Sequence, residues 1–451
     1  MRFVGGLIGR LLGWALVLAL LLAVLVPLGV LGAAVQTAPF VPETDVLTPD
    51  EAARSRAFVN RVRRASRASE GEQTIAATEA ELDAVLAAGA RLWPGLRGRT
   101  DITPQRLMLE LSAPLPAGGL WANFRLMLGP TAAPIPNLMQ LRLGRVCFGV
   151  TAAQCRGAAL VFSDETGLAL ARRTLDLLTP SDAGTLLFES LRRMEMSPGR
   201  VVAVVDGGGR GDASLVSRLT RGAREALGLE AGDRARAHYA VMAEAAARGE
   251  LPRSGSALPW LRFAVQRVAD AGHESGRAAR RDLRAAILAY AAHCGGLGPV
   301  ETMAGEIADA GRSACEGTTL RGRDDLRKHF SLSAAFAAAG SSSVSWGLGE
   351  VKELVDAGRE GGSGFSFDDV ALDRAGIRLA ERLRRARPGE IGALAAALDG
   401  EAAVTPSIEG LPSFMSAAEF RARYGGVEDP RYARQLAEID ARIAALPFHS
   451  M

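Results

Sequence analysis

Lysine is almost absent from this chain of 451 residues, in which lysine and arginine together number 53. The only two lysines are Lys328 and Lys352. Fifty acidic residues bring the net charge to +3, and acids and arginines alternate along the chain. A dedicated nucleic-acid-binding protein carries a concentrated basic surface, so we expect no nucleic-acid partner. The hydrophobic content of 48% and charged content of 23% also exclude extended disorder.

Cysteine is scarce too, and the absence of a CxxC motif argues against a thioredoxin-type dithiol and a zinc knuckle. The four cysteines fall into two local pairs, Cys147 with Cys155 and Cys294 with Cys315. Two local disulfides are the simplest of the three pairings that four cysteines allow. Disulfides persist in oxidising compartments. Buried free thiols are the alternative, because cysteine also packs as a small hydrophobic residue.

Charged residues are missing from one long stretch, the 25 residues of 11–35. As a helix, this stretch is long enough to cross a hydrocarbon core of about 30 Å. Two arginines in 1–10 predict that this short tail stays in the cytoplasm, which places the bulk of the chain in the periplasm. We therefore expect a single-pass protein of the bacterial inner membrane. A cleaved signal peptide ending near 32–34 is the alternative, although its apolar core would be unusually long.

The rest of the chain separates into five regions by its periodicity and its turn-forming residues. The first two are a proline-dotted linker with a basic juxtamembrane helix (36–73) and a small α+β domain (74–206). They are followed by a helical domain (207–323), a helical polar-centre motif (324–388) and a C-terminal helical extension (389–451). Helical spacing prevails overall, so the expected fold class is α+β, predominantly α.

Within the α+β domain, residues 106–111 and 120–128 alternate with period two on either side of a turn. This pattern predicts an antiparallel hairpin. We also expect further elements whose predicted bounds are 74–90, 165–178 and 181–194 for helices and 138–147 and 200–206 for strands.

Both lysines lie in residues 324–376, where one histidine and several acids occupy helix faces that are otherwise apolar. In the first of three predicted helices, about 325–338, His329 lies on the stripe that should pack inward. In the third, Asp373 lies on such a stripe, and Ser366 and Asp369 take capping positions at its start.

The helix between these two, predicted at about 344–357, has Glu350 and Glu353 beside its apolar face. Burying a lone carboxylate costs several kcal/mol, so Asp373 needs a partner. The candidates are Lys328, His329 and Lys352.

Two interpretations of this polar centre stay open. It can be a structural network that ties three helices together. It can also be a catalytic or metal site, because one histidine and two or three carboxylates can bind a divalent ion or perform acid–base chemistry. The candidate residues are His329, Glu353, Asp369 and Asp373. The chain has no HExxH motif, and GGSGF lacks the second glycine of a GxSxG elbow.

The order of residues in 324–376 resembles that of YfiM-type lipoproteins. The matching residues are Asp325, Lys328, His329 and Phe330, then Lys352, Glu353 and Asp356, then GSGFSFDD, then Asp373 and Gly376. The stretch is more distantly similar to VanZ-like proteins, which share a His-Phe pair, a later Glu, and a terminal Asp or Asn with Gly. The resemblance implies an envelope location and one polar site, carried onto His329, Glu353, Asp369 and Asp373. It implies no established reaction, and the usual Asp-Lys-x-x-His spacing is shifted here.

The chain as a whole resembles membrane-anchored envelope proteins of proteobacteria for which no activity can be inferred. We therefore expect a periplasmic envelope protein whose polar centre serves an interaction or binds a small ligand. Its expected partners are the inner membrane and an envelope protein or lipid. One alternative is a metal-assisted hydrolase acting on an envelope component, and another is a periplasmic lipid-binding protein built on 74–206. No cofactor is predicted, although the polar centre could hold a divalent metal.

Overall fold

The computed structural model describes residues 35–42, 47–67, 71–93, 95–115, 118–129, 137–149, 159–161, 191–206, 232–304, 307–308, 313–340, 352–354, 356–357 and 363–450. Over these residues the fold is α+β with helices predominating, which confirms the predicted class at this level. The chain divides into two compact units, one comprising 1–44, 95–172 and 192–203 and the other 45–94, 173–191 and 204–451.

The described strands, numbered along the chain, are short. They are β1 (Val35–Gln36), β2 (Glu72–Thr78), β3 (Arg97–Thr103), β4 (Arg106–Pro114), β5 (Trp121–Gly129), β6 (Asn137–Leu143), β7 (Val146–Gly149), β8 (Ala159–Val161), β9 (Leu191–Ser197), β10 (Arg200–Asp206), β11 (Gly255–Ser256) and β12 (Thr318–Thr319). Seven of them form the sheet of the first unit, in the order β3-β4-β5-β6-β7-β8 with β1 beside β5.

The predicted hairpin is confirmed, since β4 and β5 pair in antiparallel register with Leu107 opposite Leu128. Buried Glu110 on β4 forms ion pairs with Arg99 and Arg125 on the two neighbouring strands. The single strand predicted at 138–147 is wrong. A turn at 144–145 divides it into β6 and β7, and β7 then pairs with β8 in parallel.

The helix predicted at 74–90 begins later than expected. Residues 72–78 form β2, and the helix starts at Glu79 because Thr78 and Glu81 form a reciprocal capping box. The helix predicted at 181–194 is wrong at its end, where residue 191 opens β9, and its earlier residues lie outside the described part. The helix predicted at 165–178 also lies outside it. The strand predicted at 200–206 is confirmed as β10.

Helices make up most of the described residues of the second unit. They are α1 (Pro49–Arg67), α2 (Glu79–Leu92), α3 (Gly232–Ala247), α4 (Leu258–Asp270), α5 (Gly276–Cys294), α6 (Leu297–Ala304), α7 (Asp324–Ala339), α8 (Phe367–Arg385), α9 (Ile391–Ala397), α10 (Glu401–Val404), α11 (Ala417–Tyr424), α12 (Pro430–Ala444) and α13 (Pro447–Ser450). Short 3₁₀ helices lie at Ala314–Gly317 and Pro388–Glu390.

The core of this unit lies among α4, α5, α7 and α8. Trp260, Leu283, Phe330 and Leu372 are all fully buried there and belong to one continuous apolar cluster. Packing on this scale stabilises helices that would be marginal alone. The C-terminal helices add Phe420 and other aromatic residues to the same cluster, as expected for an extension that packs back on the core.

A disulfide between Cys294 and Cys315 joins the end of α5 to the 3₁₀ helix Ala314–Gly317, which confirms that predicted pair. Cys147 is also disulfide-bonded, and its predicted partner Cys155 lies outside the described residues.

The predicted membrane anchor at 11–35 lies outside the described residues except for Val35, which begins β1. None of the helices in the described part of the chain has both the length and the apolar character needed to cross a membrane.

Candidate functional site

The polar centre of 324–376 is built on α7 and α8, which pack closely side by side. Apolar residues of α7 are buried on either side of His329, so helical spacing turns His329 and Ser333 toward α8. Helix α8 presents Asp369 and Asp373 one turn apart. The two backbones approach at Gly376, where a Cβ atom would overlap the carbonyl oxygen of Phe330. The absence of a side chain at Gly376 therefore brings the polar groups within contact distance.

His329 is held by Asp373. Its Nδ1 atom lies 3.1 Å from each carboxylate oxygen of Asp373, and the hydroxyl of Ser333 donates to one of them at 2.5 Å. All three side chains are buried. Asp373 thus finds the partner that its burial requires. Lys328, one of the predicted candidates, instead pairs with Asp324 at the surface.

The other ring nitrogen of His329 faces two more carboxylates. Nε2 lies 3.3 Å from Oδ2 of Asp369 and 3.8 Å from Oε1 of Glu353. These three atoms all lie within 4.8 Å of one another, and the three residues are buried. The structure therefore brings together all four candidate residues, while Glu350 lies outside the described residues.

The outward-facing oxygen of each carboxylate has its own fixed partner. The backbone N–H of Ser366 donates to Oε2 of Glu353 at 3.2 Å. Arg323, just before α7, donates to Oδ1 of Asp369 at 3.2 Å and to Asp368 at 2.7 Å. Ser366 is the N-cap residue of α8 and Asp369 is at the third helical position, as predicted, but Ser366 makes no side-chain cap bond and Asp369 turns into the centre.

Lys352 supplies a positive charge at the opening of the centre. Its Nζ atom lies 2.9 Å from Nε2 of His329, 2.9 Å from Oε1 of Glu353 and 2.9 Å from Oδ2 of Asp356. The Lys352 side chain is 45% exposed, whereas that of Glu353 is fully buried. Lys352 is therefore the part of the cluster that can leave toward solvent.

Burial and the neighbouring carboxylates together set the pKa values of the charged groups in the polar centre. Burial lowers the pKa of His329, but the charges and hydrogen bonds of Asp373 and Asp369 outweigh burial and raise it to about 10. Burial raises the pKa of Glu353 to about 7, with Asp369 adding to the effect and Lys352 opposing it. Burial lowers the pKa of Lys352, yet Glu353 and Asp356 raise it above its ordinary value overall.

A protonated Nε2 and the 2.9 Å contact with Lys352 exclude each other, because a protonated ring nitrogen cannot accept from an ammonium group. With its pKa raised to about 10, His329 is protonated at neutral pH, so this contact belongs to the minor neutral form, in which Nδ1 donates to Asp373. A proton on Nε2 and the ammonium group of Lys352 are two ways of placing one positive charge beside the same carboxylates. Each arrangement places a positive charge beside Asp369 and Glu353.

Three groups that hold the side chains of the polar centre in place were not assigned this role from the sequence. Ser333 lies one turn after His329, so helical spacing could have assigned it to Asp373. Arg323 and the Ser366 amide have no such signal, because tertiary packing brings them in. Elsewhere, His238 and His273 bind the two oxygens of Asp282, each at 2.9 Å, although their spacing in the sequence indicates no cluster.

No match to this chain was found among protein-family models, curated proteins or solved structures. The functional interpretation therefore depends on the geometry of the polar centre, and the resemblance to YfiM-type and VanZ-like proteins stays a prediction.

Proposed function

We propose that the protein is an envelope protein whose polar centre binds a divalent metal ion as its small ligand. The observation that carries this proposal is that one atom of each side chain points to a common position, while the opposite atom is held by another residue. Nε2 of His329, Oε1 of Glu353 and Oδ2 of Asp369 converge. The opposite atoms are held by Asp373, the Ser366 amide and Arg323. Metal ligands typically have such outer partners, which orient the donor atoms before the ion arrives.

The donor set favours a borderline first-row ion such as Zn²⁺, Mn²⁺ or Fe²⁺. Imidazole suits zinc and iron, and carboxylates suit manganese and magnesium, so one nitrogen and two oxygens fit between these classes. The 3.3 Å from Nε2 to Oδ2 of Asp369 matches two ligands placed about 2.0–2.2 Å from one ion. The 3.8 Å to Oε1 of Glu353 requires only a small further approach.

Lys352 occupies the position of the ion's positive charge when no ion is bound. Its ammonium group already contacts two of the three donor atoms. Since the side chain is partly exposed and also bonded to Asp356, it can swing outward and keep one ion pair. Metal binding would also displace the proton that the raised pKa of His329 holds on Nε2, so one doubly charged ion would replace two single positive charges beside the carboxylates.

Elemental analysis of the purified full-length chain tests the proposal. After incubation with Zn²⁺ or Mn²⁺ and removal of free metal, we expect one ion per chain. The ion should be lost in His329→Ala, Glu353→Gln and Asp369→Asn and retained in Lys328→Ala, which removes the other lysine outside the centre. Asp373→Asn should weaken binding about 10- to 100-fold by releasing the imidazole. An absence of bound metal in the wild-type chain would exclude the proposal.

Metal-assisted hydrolysis of an envelope component is a second candidate function, and it is favoured because the centre offers three metal-donor atoms. Three protein ligands leave a coordination position for water, whereas structural metal sites close all four. Among the described residues that contact the donor side chains, Lys352 has the most exposed side chain, at 45%. A metal-dependent hydrolytic activity that disappears in Glu353→Gln would identify this function. Bound metal without any such activity would leave the binding role alone.

For the location, we propose a periplasmic body anchored in the inner membrane by 11–35. The support is the uncharged length of that segment and the Cys294–Cys315 disulfide, which favours an oxidising compartment. Fusions at the C-terminus should make alkaline phosphatase active and leave green fluorescent protein dark. A fluorescent C-terminal fusion would contradict the proposed topology.

A further inference from the structure

A second polar region lies at the other end of α7 and α8 and has the opposite charge. It is a cavity of about 300 Å³ between α5, the end of α7 and the end of α8. We call it the arginine pocket, because its wall includes Arg277, Arg280, Arg281, Arg284 and Arg384. Among the described residues that line it, none is acidic.

Four of these arginines form a stripe on α5. Residues 277, 280, 281 and 284 follow the i, i+3, i+4, i+7 spacing that puts side chains on one helical face. Like charges at this spacing repel each other. Arg277 also lies in the first turn of α5, where the helix dipole disfavours cations, and that turn has no acid to compensate. This arrangement opposes local helix stability.

The fold offers little compensation for this charge. Arg277, Arg280, Arg281 and Arg384 form no ion pair in the described part of the chain, unlike Arg323 at the polar centre. Residues 338–340 at the end of α7 bring backbone carbonyl groups to the wall, and these can satisfy part of one or two guanidinium groups. A single helix end cannot neutralise the other four arginines, so among the described residues the pocket keeps an excess of positive charge.

We propose that the arginine pocket binds a small ligand that bears a multiply charged phosphate group. Guanidinium groups bind phosphate through paired hydrogen bonds, and several on one wall can engage one phosphate from different sides. The volume is at the lower limit for a small-molecule site, so it fits a phosphate-bearing group and not a large cofactor. Both a soluble phosphate compound and an anionic lipid headgroup present this chemistry. The proposal does not depend on the metal site.

Calorimetric titration of the detergent-solubilised full-length chain distinguishes these sources. The probes are inorganic pyrophosphate, short-chain phosphatidic acid and short-chain phosphatidylcholine as the zwitterionic control. Binding of pyrophosphate identifies a soluble ligand, and binding of phosphatidic acid alone identifies a lipid headgroup. Binding of neither anion, or equal binding of phosphatidylcholine, would overturn the proposal.

Neighbouring arginines on α8 give a matched pair of variants. Arg384 lines the pocket and Arg385 does not, yet both are exposed and their substitution removes the same charge. Arg384→Gln should weaken anion binding at least about tenfold, and Arg385→Gln by less than about twofold. The double variant Arg280→Gln/Arg281→Gln should abolish binding and remain folded, because it relieves repulsion on α5. Equal losses in Arg384→Gln and Arg385→Gln would show nonspecific attraction and contradict the proposed pocket.

Discussion

The polar centre and the arginine pocket lie at opposite ends of the same two helices. His329 and Ser333 of α7 meet Asp373 of α8, and further along both helices 338–340 and Arg384 line one cavity. The helices therefore run in the same direction, with both N-termini at the polar centre. The acids at the start of α8 and Arg384 at its end follow the helix dipole, which favours anions at the N-terminus and cations at the C-terminus.

The two regions differ in how their charges are satisfied. In the polar centre nearly every charged atom has a partner of opposite sign, and Lys352 completes the set. In the arginine pocket, Arg277, Arg280, Arg281 and Arg384 have no such partner among the described residues, and Arg277 opposes the dipole at the start of its own helix. A paired cluster can be a brace or a prepared metal site, whereas an unpaired one has no structural advantage. Variants in each region can therefore sharpen or break this contrast.

The largest effect should come from Gly376, because both regions depend on the close approach of α7 and α8. A methyl group there would overlap the Phe330 carbonyl and lie 3.1 Å from the Ala334 nitrogen. Gly376→Ala should lower the free energy of unfolding by about 1 to 3 kcal/mol, despite the better helix propensity of alanine. Urea denaturation measures this.

Gly392→Ala on α9 is the matched control, since the nearest atom to its added methyl group is 3.9 Å away. That variant should be neutral or up to about 1 kcal/mol more stable. Equal stability of the two variants would show that the helices do not meet at Gly376 as described.

The next effect distinguishes a prepared metal site from a brace. Glu353 is buried beside Asp369, which raises its pKa further, so Glu353→Gln removes repulsion and keeps an oxygen for the Ser366 amide. Without metal, its stability should lie within about 1 kcal/mol of the wild type or above it. At a metal concentration of 100 times Kd, only the wild type should gain about 2.7 kcal/mol. Thermal unfolding with and without metal measures both values.

The contrary result for Glu353→Gln is equally clear. A loss of about 3 kcal/mol or more in metal-free protein, with no stabilisation of the wild type by metal, would identify a buried ion-pair brace. The polar centre and the arginine pocket would then differ only in whether their charges are paired, and not in whether they bind a ligand.

The smallest effect concerns the stripe on α5. Arg281→Gln should raise stability by about 0.3 to 1 kcal/mol at low salt, because it relieves repulsion from Arg277 and Arg284 on the same helical face. The gain should shrink as salt screens the charges. Arg442→Gln is the control, since its guanidinium donates to the carbonyls of Ser407 and Glu409, and it should lose stability. A loss in Arg281→Gln of the same size would mean that Arg281 is structurally satisfied.

The sequence predicted those parts of the site that depend on helical periodicity. His329 and Asp373 both face inward as the spacing indicates, because each lies on an otherwise apolar stripe of its own helix. Arg323 and the Ser366 amide could not be predicted, since they reach the centre through tertiary packing. The convergence of Nε2, Oε1 and Oδ2 likewise depends on how three segments meet.

The same limit applies to the rest of the fold. The α5 stripe is visible in the sequence as an i, i+3, i+4, i+7 pattern, but the cavity beside it requires the ends of α7 and α8. Period two at 106–111 correctly predicted β4, where the strands are adjacent in sequence. At 72–78, the capping box of Thr78 and Glu81 decided the helix start, and apolar spacing alone missed it.

The central claim is that the polar centre is arranged around a cation, and a crystal structure of metal-soaked protein with anomalous scattering tests it most directly. We expect one anomalous peak about 2.0–2.3 Å from Nε2 of His329, Oε1 of Glu353 and Oδ2 of Asp369, with Lys352 turned away and Asp373 still bonded to Nδ1. If Nζ of Lys352 stays 2.9 Å from Nε2 at saturating metal and no peak appears there, the centre is a structural network and the claim is wrong.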